Sequence, residues 1–155
     1  ADESLQADRE VVLEAVRQAG REVVLEAVKE NGGAFEFAAY SLRADREVVL
    51  AAVKEHGGHA LKYADESLQA DREVVLAAVR QKGWVLKYAD KSLKADREVV
   101  LEAVRQDGHA LEYAAYSLRA DREVVLEAVK ENAAALNYAA EELQNDPELR
   151  RIAGW

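Results

Sequence analysis

The sequence has no cysteine, no methionine, one proline and only 8 glycines in 155 residues. Without cysteine there are no disulfides, thiolate metal sites, cysteine nucleophiles or iron–sulfur ligands, and the compartment is left open. The missing methionine includes the initiator, since the chain begins at Ala1; a processed product, a trimmed chain or a designed sequence is expected. Scarce glycine and proline argue against long loops. Half the residues are hydrophobic, yet charge interrupts them every few positions, so no helix of about 18 apolar residues is expected to span a membrane. An excess of positive charge is also lacking. The 30 Asp and Glu against 21 Lys and Arg give a formal charge of −9, which argues against nucleic acid and against anionic membrane surfaces as partners. A soluble chain with room for one ordinary domain is expected.

What the sequence does contain is repetition. The string R-E-V-V-L starts at Arg9, Arg21, Arg46, Arg72, Arg97 and Arg122, and a worn copy follows at Pro147-Glu148-Leu149. The steps are 12, 25, 26, 25, 25 and 25 residues. A period near 25 over most of a chain predicts a one-dimensional stack in which each unit touches mainly its neighbours.

Each unit splits into two amphipathic patterns. The first, here the V-helix, is represented by Asp45–His56, in which Val48, Val49, Leu50, Ala52 and Val53 cover slightly more than half the circumference. Asp8, Asp45, Asp71, Asp96 and Asp121 stand at its N-cap, where a carboxylate accepts from the first-turn amides. Glycine at or near 32, 57, 83 and 108 is expected to end it in a left-handed conformation. The second pattern, the Y-helix, spans 59–70 with relatives at 33–44, 84–95, 109–120 and 134–145. It takes its name from the position held by Phe37, Tyr63, Tyr88, Tyr113 and Tyr138.

Two- or three-residue connections between such short helices predict antiparallel packing. The expected fold class is all-α, an α-solenoid of antiparallel helix pairs in a single domain over residues 1–155. Its irregular start occupies 1–32: one Y-helix is missing between two V-helices joined around Gln18-Ala19-Gly20, and Ala1–Ala7 reads as the tail of another. Regular repeats fill 33–145. Residues 146–155 form a terminal cap, with Asp146 capping and Pro147 at the first helical position.

The consensus D-R-E-V-V-L-x-A-V-K-x-N-G followed by x-A-L-x-Y-A-x-x-S-L resembles a family of short helical repeats known only as a domain of unknown function. The strings that carry the resemblance include Asp45–Gly57, Asp71–Gly83 and Asp121–Asn132, each with its Y-helix, and the resemblance covers nearly the whole chain. It implies the repeat architecture and no activity. The departures are the missing Y-helix after Gln18, Ala133 in place of glycine, and the worn final copy.

Residues that recur in every copy are explained by stacking. The aspartates are caps, the tyrosines a row at the edge of the core, and Ser41, Ser67, Ser92 and Ser117 small packing residues. Residues that differ between copies are the informative ones. On the Y-helix, positions i, i+3 and i+7 share one outward face. There they place Tyr40, then His59 and Lys62, then Trp84, Lys87 and Lys91, then His109 and Tyr116. Aromatic side chains dominate binding energy at interfaces, so this strip is the candidate partner-binding surface. Two other readings stand beside it: drift at solvated positions, and a local cation–π contact of Trp84 with Lys87 and Lys91.

His56-Gly57-Gly58-His59 and His109-x-x-Glu112 offer too few converging ligands for a zinc site. No phosphate-binding glycine loop and no nucleophile with its base are recognisable, so neither catalysis, nor a cofactor, nor a metal is expected. The expected function is a non-enzymatic helical repeat scaffold for protein–protein interaction. Its partner is a protein or peptide, expected to be basic because the scaffold is acidic. Self-association through the irregular N-terminal end is a further expectation. The alternatives are a spacer or accessory subunit of a larger assembly, and an engineered consensus repeat protein.

Overall fold

The structure is a computed structural model that describes residues 2–155, with side chains from Asp8 onward. Among the described residues every regular element is helical, and no helix is long and apolar enough to cross a membrane. The V pattern forms α1 (Asp2–Glu30), α3 (Arg46–His56), α5 (Arg72–Gln81), α7 (Arg97–Gln106), α9 (Arg122–Glu131) and α11 (Pro147–Ala153). Between them lie 3-10 helices: η1 (Gly32–Phe37), η2 (Gly58–Tyr63), η3 (Gly83–Tyr88), η4 (Gly108–Tyr113) and η5 (Ala133–Tyr138). Each is followed by one α-turn: α2 (Tyr40–Arg43), α4 (Glu66–Gln69), α6 (Lys91–Lys94), α8 (Tyr116–Arg119) and α10 (Glu141–Gln144).

The Y pattern is therefore not one α-helix, although each long helix still packs against the 3-10 helix that follows it. Ala64 and Asp65 are extended, with ψ 149° at both, and they separate η2 from α4. The neighbouring copy provides the reason. Extension at Asp65 lets its N–H donate to the Arg43 carbonyl at 2.9 Å, and Asp90 to Gln69, Ala115 to Lys94 and Ala140 to Arg119 repeat the bond at 2.8–2.9 Å. An uninterrupted α-helix would spend these donors within itself. Ser67 and Ser92 are exposed rather than packed inside, and their hydroxyls donate to Asp65 and Asp90 at 2.6 and 2.7 Å.

The core lies between the row of long helices and the row of 3-10 helices. Val74, Val75, Ala78 and Val79 of α5, Val85 and Leu86 of η3, and their equivalents in α7, η4, α9 and η5 are buried. Consecutive long helices pack on one another from α1 to α11, and consecutive 3-10 helices do the same.

The aspartate caps are present at Asp45, Asp71, Asp96, Asp121 and Asp146, each accepting from two first-turn amides. Each also holds the arginine of the preceding copy. Nε of Arg21, Arg46, Arg72, Arg97 and Arg122 donates to these carboxylates at 2.9, 2.9, 2.9, 3.0 and 3.1 Å. The same guanidinium reaches the glutamate two residues beyond the cap, from Glu47 through Glu148. D-R-E is thus a rung as well as a helix start: its Asp and Glu receive the previous arginine and its Arg engages the next pair.

The irregular start departs from expectation. Instead of two V-helices broken around Gln18-Ala19-Gly20, α1 is one 29-residue helix. The position that carries the Asp cap in later copies is Gly20, so nothing caps a second helix at Arg21. Asp8 lies inside α1 and caps nothing. The proposed Y-helix tail at Ala1–Ala7 falls on Ala1 and on side chains outside the described residues; the backbone from Asp2 continues α1.

The glycines act through space more than through torsion. Among the described residues only Gly57 and Gly154 have positive φ. Gly58, Gly83 and Gly108 are needed for close approach, since a Cβ there would sit 2.4, 2.2 and 2.4 Å from the carbonyl oxygens of Ala78, Ala103 and Ala128. Ala133 is tolerated in the last copy, where the neighbouring helix, α11, ends at Ala153. Gly57, at φ 66°, takes up the one extra residue that makes the Arg46-to-Arg72 step 26 rather than 25.

Candidate functional site

Each 3-10 helix is anchored by its small-plus-leucine pair, Ala60 and Leu61 in η2 and Val85 and Leu86 in η3, all fully buried. Residues three apart eclipse on a 3-10 helix. His59 therefore stands over Lys62, and Trp84 over Lys87, on the side away from the anchor. The half-buried tyrosines Tyr63 and Tyr88 close each helix against the core.

Stacking of η2 on η3 brings these side chains together. The His59 ring lies 5.4 Å from Trp84, 6.1 Å from Tyr88, 6.2 Å from Tyr63 and 5.9 Å from His56, centroid to centroid. Trp84 and Tyr88 meet edge-on at 6.2 Å. Lys87 Nζ sits 4.8 Å from the Trp84 centroid and 4.9 Å from that of Tyr88, while Lys62 Nζ lies 5.2 Å from Tyr63. Such contacts hold lysines that are otherwise free to sweep solvent. Burial, followed by the charges of His56, Lys62, Lys82 and Lys87, pushes the His59 imidazole below its usual range, so it is neutral at pH 7. The cluster is an island of cations and aromatic faces on an acidic chain.

Four of the eight strip residues, His59, Lys62, Trp84 and Lys87, thus converge. His109 sits apart, 5.9 Å from the Tyr138 ring, with Nδ1 3.3 Å from the Asn132 amide and 3.5 Å from Asp107. Tyr40, Lys91 and Tyr116 fall on the parallel row of α-turns. The cause is the extended pair before each of them, Ala38-Ala39, Ala89-Asp90 and Ala114-Ala115, which shifts position i+7 onto another element. Arg43 lies over Tyr40 at 5.3 Å and Arg119 over Tyr116 at 5.7 Å. Tyr116 Oη also lies 3.4 Å from Glu142. Tyr40 lines a shallow groove with Lys62, Tyr63 and Glu66 and so borders the cluster. Lys91 lines the next, with Glu66, Gln69, Asp90 and Lys94, and does not join Lys87 over Trp84. Among the described residues no group of three His, Asp or Glu side chains converges as metal ligands would.

The family described as "Domain of unknown function (DUF4116)" matches residues 21–69, 55–94, 71–119 and 121–153. The chain belongs to the DUF4116 family. Its overlapping matches are those of a tandem repeat. No curated protein and no solved structure matches the chain.

Within this DUF4116 array, sequence reasoning missed two things. Tyr63, Tyr88 and His56 belong to the aromatic cluster, although the tyrosines read as core edge and His56 only as a metal candidate. The arginine of every D-R-E was left without a role; its signal was its recurrence at the same distance from the next Asp-x-Glu. Two further links between DUF4116 copies are Arg80 to Glu102 and Arg105 to Glu127, at 3.0 and 3.1 Å.

Proposed function

We propose that the chain is an α-solenoid of period near 25 residues that serves as a non-enzymatic scaffold, binding a protein partner through His59, Lys62, Trp84 and Lys87. The observation that carries this reading is the cluster itself: two lysines fixed over three aromatic rings around a neutral histidine, on the outer side of the 3-10 row. Rigid aromatics beside a cation have the composition of interface hot spots. Copy-on-copy packing of both helical rows supports the solenoid, because each unit leans on its neighbours. Charge sets two requirements. The net −9 steers a partner that is basic overall, whereas Lys62, Lys82 and Lys87 favour a docking segment that presents a carboxylate. A basic protein with an acidic side chain at its contact point meets both.

The test compares the wild-type chain with Trp84→Ala/Lys87→Glu in affinity capture from native extract at low and moderate salt, read by mass spectrometry. The expected result is loss of the captured protein with unchanged far-UV circular dichroism and a melt lowered only by the lost packing of the half-buried Trp84. Equal capture by both proteins overturns the binding role. The uniform arginine ladder favours a second reading, a structural spacer, which predicts a large complex captured at fixed stoichiometry by both.

A further inference from the structure

The first half of α1 carries a surface that no later copy shows. Val11, Val12, Leu13 and Val16 are 69, 61, 52 and 64 % exposed, and so is Val23 at 69 %. The equivalents of Val23 in the following copies, Val48, Val74, Val99 and Val124, are fully buried, each by the copy before it. In α1 this V-helix face therefore lies open, and the V sequence before it runs straight out along the same helix.

Spacing gives that face a partner. Val12, Val16, Ala19 and Val23 follow one another at steps of four, three and four residues, the seam of a two-stranded coiled coil. The seam is complementary to its own reverse. Laid antiparallel on a second α1, it sets Val12 against the partner's Val23 and Val16 against the partner's Ala19, and both contacts recur across the twofold axis. The same register brings Leu13 over the partner's Gly20. Gly20 has nothing within 4 Å of where a Cβ would stand, so a side chain can seat there. It also sets Arg9 against the partner's Glu26, an opposite-charge pair at each end of the seam. A second copy thus matches the face in shape, spacing and charge, and the contact is isologous, so it closes.

We propose that the chain pairs with a second copy of itself through antiparallel α1 helices, each arm covering the valine face that the other stack leaves open. This surface is separate from the Trp84 cluster and does not depend on it. The test is sedimentation equilibrium of the full chain over a range of concentrations, with disulfide trapping in the cysteine-free background. Wild type is expected to move from monomer to dimer mass as concentration rises. Val16→Glu, at an exposed site that leaves circular dichroism unchanged, is expected to weaken dimerisation at least about tenfold, because it buries an unpaired charge in the seam. A mixture of Val12→Cys and Val23→Cys chains is expected to cross-link on oxidation, while Val12→Cys alone does not. A concentration-independent monomer mass, or Val12→Cys chains that link to each other rather than to Val23→Cys chains, overturns the proposal.

Discussion

Residues 1–13 and 64–76 share one sequence, ADESLQADREVVL, yet residues 2–13 adopt a different structure from residues 65–76. In the second stretch, Asp71 is extended at φ −81°, ψ 114° and caps α5 from outside the helix. In the first, the helix passes through Asp8 without a break. Leu76 is 7 % exposed and Val74 and Val75 are buried, whereas Leu13, Val11 and Val12 lie open. Since the residues are the same, the difference lies in what packs against them. The segment 64–76 meets Arg43, Arg46 and Leu61, which receive the Asp65 amide, pair with Asp71 and accept the Gln69 amide. Among the described residues, nothing packs over Val11, Val12 and Leu13 in this way. A strong N-cap signal is thus permissive: it makes a helix start cheap, and the neighbouring copy decides whether the chain bends there.

The largest test of this contrast uses glycine. Gly83→Ala should cost about 3 kcal/mol, since its methyl meets the backbone carbonyl of Ala103 and neither side can yield. Gly20→Ala, in open space on the unstacked arm, should stabilise by about 0.5–1 kcal/mol. Denaturant melts of both would reverse the interpretation if Gly20→Ala were the damaging change. The caps come next. Asp71→Ala should lose about 1 kcal/mol, while Asp8→Ala should stay within about 0.5 kcal/mol; equal losses would mean that Asp8 caps as well.

The smallest effect is in acid. The Arg46 side chain, followed by the first-turn amides, holds the Asp71 carboxyl below its usual range against an opposing pull from burial. The unfolded chain therefore binds protons that the folded one refuses, so this stability is present above about pH 4 and is lost as pH falls through the lower folded value. Asp71→Asn should flatten the acid limb of a stability-versus-pH curve, and an unchanged limb would mean that the Arg46 rung does not act through this carboxyl.

The same contrast explains what was legible in the sequence. Val48, Val49, Ala52 and Val53 repeat at helical spacing, and burial follows from that period alone. The aspartate caps were legible for the same local reason. The Y pattern was not, because Ala60, Leu61, Tyr63, Ala64 and Leu68 fit an α-helix equally well. What splits them into a 3-10 helix and an α-turn is the Asp65 amide finding Arg43 in another copy. The candidate strip was legible to the extent that i and i+3 stay aligned in either helix type, which kept His59 with Lys62 and Trp84 with Lys87. Tyr40, Lys91 and Tyr116 lay beyond the break. Hydrogen bonds between copies, the arginine ladder above all, span 21 or more residues and leave no mark in a local window.

Gly57 shows what sets the pitch of this array. The copy it belongs to is one residue longer than its neighbours, yet Arg46 meets Asp71 at the same 2.9 Å at which Arg72 meets Asp96. The surplus is absorbed where α3 hands over to η2, in a left-handed residue that leaves the arginine rung at its usual length. The rise from copy to copy is therefore gauged across the stack, by rung length, and not along the chain by residue count. Units of unequal length can share one lattice, and these junctions are where a sequence can grow without the array losing step.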